Sequence, residues 1–271
     1  MFYIVHSDKD IWTGRVSSLR YPEVNAAIST RFGGVSEGVY SSMNLALHVG
    51  DNPEHVIQNR QRFISAIKLD PKSIVTPQQV HGTNIYVADK SDAGRGYLSY
   101  DDAIPDTDAL ITNTPGVSLM LCFADCTPIL FYDPVHKAVG IAHGGWRGTI
   151  RHISKKTIMK MSAVFDSHPE DIYAAIGPAI GACCYTVGSE VEEEALREYS
   201  KDVCIKEGKG VSLDLWKANT EDLLAAGVLM QHIDSARTCT ADNSSMFYSY
   251  RASGGKTGRH AAVIALGEDV L

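Results

Sequence analysis

ALITNTPGVSLMLCFADCTPILFYDPVHKAVGIAHGGWRGTI, residues 109–150, is the stretch whose reading decides the fold. Its apolar runs ALIT (109–112), VSLMLCFA (117–124), ILFYD (129–133) and AVGIAH (138–143) are strand-sized and short-linked. NTPG reads as a turn, and Pro at the second position of DPVH suits a type I turn. Short-linked strands in a row predict an antiparallel meander. The last run ends at His143, followed by a glycine-rich turn with Trp146 and Arg147 and then a helix start. That corner admits three readings: His143 as a metal ligand, GGWRG as a phosphate cradle, or an ordinary strand-to-helix turn with Trp146 as packing.

Working outward, helical periodicity appears at 149–165, where Ile150, Ile153, Ile158, Met161 and Val164 or Phe165 share one stripe. SEVE at 189 has capping-box form before a short helix. DLWKANTEDLLAAG starts at the cap Asp214 and stops at Gly227. Strand clusters interrupted by helices, without a regular βαβ rhythm, predict an α+β fold with mixed sheets. Residues 90–107 read as a long surface loop that does not separate two domains, so 1–271 is expected to be a single domain.

The chain has 271 residues, 44% apolar and 21% charged, with a net charge of −7. This composition is that of a globular protein with a sizeable core. No basic patch points to nucleic acid, and no run approaches the length of a membrane span. MFYIVHSDKDIW offers no secretory apolar region, so a cytoplasmic location is expected. Six cysteines in such a chain read as buried thiols, metal ligands or nucleophiles rather than a disulfide framework.

Residues 51–68, DNPEHVIQNRQRFISAIK, predict a helix capped by Asn52 with Pro53 at its first position. At about 100° per residue, Arg60 falls inside the apolar stripe of Val56, Ile57, Phe63, Ile64 and Ile67. A guanidinium there either pairs within the core or points into a site and meets an anion such as phosphate.

Two histidines sit beside glycine, His81 in QQVHGTN and His143 in GIAHGGWRG, and Cys126 ends CFADC. Together they offer a Cys/His2 set, and three protein ligands with an open fourth position are the pattern of catalytic zinc. Cys183 and Cys184 are an alternative ligand or redox pair, but adjacent cysteines chelate one metal poorly and read as structural. Glycine turns recur at 31–38, 143–148 and 252–258, and such turns can bind anions. None has P-loop spacing, and GxGxxG is missing.

The segments STRFGGVSEGVYSSMNLALHVGD, NRQRF, PQQVHGTNI, DTDALIT, ADCTPILFYD, AHGGWRGT, IGPAIGACCY, DLWKAN and FYSYRASGGKTGRHAAVI occur in order across about residues 29–264. In these the chain resembles the multicopper-polyphenol-oxidase-like, or laccase-domain, family of purine nucleoside phosphorylases, which includes the bacterial peptidoglycan editing factor. The resemblance implies a layered α/β/β/α fold and zinc-dependent phosphorolysis of adenosine, inosine, guanosine and methylthioadenosine, with adenosine deaminase activity. It implies His81, Cys126 and His143 as catalytic zinc ligands, and Asn44 and Arg60 at the nucleoside or phosphate site. Met43 departs from the usual Leu, and Thr186 stands where the family has Glu.

The same residues leave two other chemistries open. Copper-dependent polyphenol oxidation could use a His2Cys site, but no H-x-H pair supports a trinuclear cluster, so Cu2+ binding is expected to be adventitious. Editing of peptidoglycan precursors by amide hydrolysis could use Cys126 as nucleophile with His143 or His81 as base. His48, Asp125 and Arg147 are candidate acids by position. The expected partners are purine nucleosides and phosphate, with a monomer or weak homo-oligomer.

Overall fold

A computed structural model describes residues 1–7, 10–207 and 210–267. In chain order the strands are β1 (Phe2–His6), β2 (Trp12–Val16), β3 (Val24–Ser29), β4 (Ile74–Val75), β5 (Ile85–Val87), β6 (Ala109–Thr112), β7 (Ser118–Phe123), β8 (Thr127–Asp133), β9 (Ala138–Gly144), β10 (Tyr173–Ile176), β11 (Thr186–Val187), β12 (Cys204–Glu207), β13 (Gly210–Leu213), β14 (Ile233–Ser235) and β15 (His260–Leu266). The helices are α1 (Pro53–Ala66), α2 (Trp146–Ile150), α3 (Ile153–Phe165), α4 (Ser189–Glu198) and α5 (Leu215–Ala225). No helix among the described residues is long and apolar enough to cross a membrane.

The strands form one six-stranded sheet, β1-β2-β3-β15-β7-β4, a second of order β14-β10-β8-β9-β6-β5, and a small sheet β11-β13-β12. Both large sheets are mixed: β4 pairs parallel to β7, and β5 and β14 pair parallel to β6 and β10. Alternate residues of each central strand serve two cores, as the pleat dictates. Leu130 and Tyr132 of β8 face Leu119, Leu121 and Ile264 of the first sheet, while Ile129 and Phe131 face Ile153, Ile158, Trp216 and Leu223 of the helices. On the far side, Ala261 and Val263 of β15 pack with Phe63 and Ile64 of α1. The layers are therefore α1, sheet, sheet, and α3 with α5, as the resemblance implied.

The expected meander is split between the sheets. β8 and β9 form the predicted hairpin, with Leu130 opposite Ile141. β7 pairs instead with β15 and β4 in the first sheet. The chain changes sheet at Ala124–Cys126, where Asp125 takes a left-handed φ of 87°. This corner, costly for a non-glycine residue, is held by the Asp125 carboxylate, which accepts from Thr240 Oγ1 at 2.7 Å and Arg251 N at 2.7 Å.

The single helix expected at 149–165 is also broken, because His152 is left-handed at φ 61° and separates α2 from α3. Its ring is engaged by Asp222 at 2.7 Å and Glu198 at 3.1 Å. Within the stripe the last turn faces the core with Phe165, and Val164 is exposed. The capping box at 189 does not form: Gly188 is the N-cap of α4 and no side chain caps it. The caps Asn52 and Asp214 do form, accepting from Glu54 N and Lys217 N.

Candidate metal centre

Strand register builds the centre. His143 lies near the end of β9 opposite Pro128, and continuing that register sets Cys126 against Gly145. A Cβ at Gly145 would fall 3.2 Å from Cys126 Sγ and 2.9 Å from His81 Cδ2, so this position is glycine for lack of room. Asp108, just before β6, lies beside His143 and accepts its Nδ1–H at 2.9 Å. The same carboxylate accepts from the backbone N–H groups of Val80, His81 and Gly82 at 3.2, 3.0 and 2.7 Å. One buried carboxylate thus fixes both histidines, and Gln79 ties the His81 loop to β7 through paired 2.9 Å bonds with Cys122.

The ligand atoms of His81, Cys126 and His143 lie within 4.8 Å of one another. The set fits zinc: two imidazoles and a thiol converge, and the Asp108 bond to Nδ1 leaves Nε2 of His143 as its free donor. Burial alone would raise the Cys126 thiol, but His143 and His81 override it and bring it down to about 6. Burial would lower His143, yet Cys126 and Asp108 raise it to about 9. The chain therefore prepares a thiolate, the form that binds metal.

The centre opens on a cavity of about 540 Å³, within the usual range for small-molecule sites. Its walls include His48, Trp146, Tyr185, Tyr250, Arg251 and Arg259. Arg259 is held by its backbone N–H on Asn44 Oδ1 at 2.8 Å, with its guanidinium 5.6 Å from the Tyr250 ring centre. Arg251 lies 5.1 Å over Tyr185 and donates to the carbonyls of Cys184 and Thr186. Burial, then the charges of Arg259 and Arg60, push His48 down to about 4. His48 is thus neutral at pH 7 and is no imidazolium acid there. Asp125, bonded to Thr240 and Arg251, serves the corner described above, and Arg147 is exposed and stacked 4.3 Å from the Trp146 ring centre.

Sequence reasoning placed Arg60 and Asn44 at the ligand, and the structure does not bring them to the cavity wall. Arg60 is 3% exposed. Its Nε donates to Leu45 O at 2.8 Å and its Nη1 to Gly96 O and Tyr97 O, both at 2.6 Å. The carbonyls satisfy the buried cation, and the loop at 90–107 is thereby packed, with Tyr97 and Ile104 buried. Asn44 is fully buried and bonds Asp51, Ala46 and Arg259 N. Sequence reasoning gave no role to Asp108, Arg251 and Arg259, although they lie in quoted segments. Trp146, expected as packing, both packs on the core and lines the cavity.

A family described as multi-copper polyphenol oxidoreductase laccase matches residues 25–267. Purine nucleoside phosphorylase YlmD of Geobacillus stearothermophilus is 41% identical over 248 residues, 90% of each chain. Purine nucleoside phosphorylase YfiH of Escherichia coli is 36% identical over 245 residues, 90% of this chain and 94% of its own. The crystal structure of the G. stearothermophilus YlmD superposes with a TM-score of 0.93 at 36% identity, covering 99% of this chain and 100% of that one. YfiH of Bacillus licheniformis gives 0.91 at 36%, covering 97% and 98%. With the family match spanning residues 25–267 and relatives of this identity covering nine-tenths of the chain, the chain belongs to the multi-copper polyphenol oxidoreductase laccase family.

Proposed function

We propose that this chain, as one domain, is a zinc-dependent purine nucleoside phosphorylase, acting on adenosine, inosine, guanosine and methylthioadenosine. The observation that carries the reading is the Asp108-fixed His81–Cys126–His143 set opening beside two arginines and three aromatic side chains. The names of the relatives point the same way. His81, Cys126 and His143 would hold the zinc. When bound, zinc supplies Lewis-acid chemistry, polarising a ligand and easing removal of its proton.

The chain's own groups perform the binding. Trp146, Tyr185 and Tyr250 offer faces for a purine. Arg259 and Arg251 keep Nε and Nη2 free of hydrogen bonds among the described residues, which leaves each a pair of donors for bidentate contact with an anion. Neutral His48 adds polar contact without charge. Asn44 and Arg60 are positioning residues, the first through the Arg259 backbone and the second through the packed 90–107 loop. In the reaction the N9–C1′ bond breaks, a phosphate oxygen bonds C1′, and the leaving purine takes the proton that hydrogen phosphate gives up. Adenosine deamination, with water displacing the C6 amino group as ammonia, belongs to the same proposal and needs no phosphate.

A specific observation keeps a second reading in view. The Cys126 thiol at about 6 beside His143 is the pairing of a Cys–His amide hydrolase, as peptidoglycan-precursor editing would need. The two readings part on metal, because zinc occupies the thiolate. Copper oxidation is disfavoured: two clusters of three or more His, Cys, Asp or Glu ligands occur among the described residues, and one His2Cys set does not make a multicopper centre. The test is inosine with phosphate and zinc-loaded protein, following hypoxanthine and ribose 1-phosphate. Equal yields of both products support the proposal, and hypoxanthine without ribose 1-phosphate refutes phosphorolysis.

A further inference from the structure

Cys183 and Cys184 remain unexplained by the cavity. Sequence reasoning set them aside as packed structural thiols, but Cys183 is exposed and Cys184 half-buried. They lie in the turn after β10, and a second turn after β14 meets it. The two turns are stitched by a parallel bridge of Ala179 with Cys239 and by Thr240 N on Ala179 O at 3.0 Å. The junction brings Cys239 and Asp242 to the cysteine pair. Sγ of Cys183 lies 3.0 Å from Asp242 Oδ2, and Sγ of Cys184 lies 3.0 Å from Asp242 Oδ1. Cys239 Sγ accepts the Gly181 N–H at 3.3 Å. One donor atom from each of the four residues lies within 4.8 Å of the other three.

We propose that Cys183, Cys184, Cys239 and Asp242 form a second zinc site, closed by four protein ligands. Three sulfurs and one carboxylate oxygen are the number and type of donor that a structural zinc takes, with no position left for a substrate. The objection to adjacent cysteines falls away once a second loop supplies the remaining two donors. The Gly181 N–H on Cys239 Sγ is the kind of backbone bond that supports a ligating thiolate. A disulfide explains less, since it would use two sulfurs and leave the third thiol and the carboxylate without a role.

The site would act as a clamp on the cavity. Tyr185 follows Cys184 directly, Arg251 donates to Cys184 O, and Thr240 holds the Asp125 corner beside Cys126. A metal joining the two turns fixes all three. The site itself does not depend on the reaction assigned above, and its readout is metal content.

The experiment uses the full chain carrying Cys126→Ser, which removes the thiolate of the first centre, titrated with Zn2+ alone and with Co2+ alone. The expected result is about one tightly held zinc per chain and a strong near-ultraviolet thiolate-to-cobalt absorption. Adding Cys183→Ser or Asp242→Asn should weaken zinc binding by at least about 100-fold, and Cys183→Ser should also reduce the absorption. Both side chains are exposed, so their replacement leaves no core void, and circular dichroism checks the fold. A Cys126→Ser protein without tight zinc overturns the proposal. So does a cobalt spectrum and zinc affinity untouched by both further changes, or a thiol count on unreduced protein that reveals a disulfide within the cluster.

Discussion

Replacing Asp108 by Asn keeps the shape of the side chain and removes half of its acceptors. The carboxylate accepts four N–H groups, two on each oxygen: His81 N and His143 Nδ1 on Oδ1, and Val80 N and Gly82 N on Oδ2. An Asn can face either pair with its oxygen, and its amide then opposes the other pair. If the amide meets Val80 and Gly82, two backbone donors of the His81 loop are orphaned. If it meets His143, the imidazole must accept at Nδ1 and carry its proton on Nε2, the nitrogen needed for metal. At about 1–3 kcal/mol for each unsatisfied donor, the first outcome costs about 2–6 kcal/mol of stability, and the second, which orphans His81 N, about 1–3 kcal/mol. Loss of an outer partner of this kind lowers metal affinity about 10–100-fold, or about 1.4–2.8 kcal/mol. The assay is a zinc competition titration against a chromogenic chelator, with thermal melting in parallel. A folded Asp108→Asn protein binding zinc within about twofold of the parent would refute the argument that Asp108 orients the ligands.

Arg259→Ala should raise the KM for phosphate about 10–150-fold, as expected for losing a charged hydrogen bond of about 1.5–3 kcal/mol, with the metal content unchanged; initial rates against phosphate check it. Arg60→Ala should instead destabilise the fold by about 3 kcal/mol or more, because the carbonyls of Leu45, Gly96 and Tyr97 lose their donors. Denaturant titration measures that loss, and a changed phosphate KM with unchanged stability would restore Arg60 to the ligand. In metal-free protein, alkylation of Cys126 by iodoacetamide should be near its plateau at pH 7 and fall as pH drops through about 6, since burial is overridden by His143 and His81. Cys183, whose thiol is raised by burial and by Asp242, should react only at higher pH. Peptide mass spectrometry reads both, and zinc should protect Cys126.

Local order was legible where one physical signal sufficed. The hairpin of β8 and β9, the Asn52 and Asp214 caps and the apolar stripe of α3 follow from turn chemistry and periodicity. The path of β7 was not legible, because a strand buried on both faces carries no mark of which sheet it joins. The break at His152 was hidden for a similar reason: its cause lies in Asp222 and Glu198, distant in sequence. Sequence reasoning named the three candidate ligands that the fold then brings together, because two His beside glycine and a Cys just after a buried strand are chemically conspicuous. Asp108 and Arg259 looked like ordinary charged residues, and their roles arise from register and from a backbone bond to Asn44. Arg60 was placed on the apolar stripe of its helix and assigned to the ligand, because the carbonyls of Leu45, Gly96 and Tyr97 that accept from it leave no mark in the helix that carries it.

The most direct test is the yield of pentose 1-phosphate from inosine and phosphate, measured on metal-stripped protein before and after zinc is restored. Formation should be negligible without metal, return with zinc, and stay absent in Cys126→Ser under the same treatment. Undiminished pentose 1-phosphate from fully stripped protein, or from Cys126→Ser, would contradict zinc-dependent phosphorolysis.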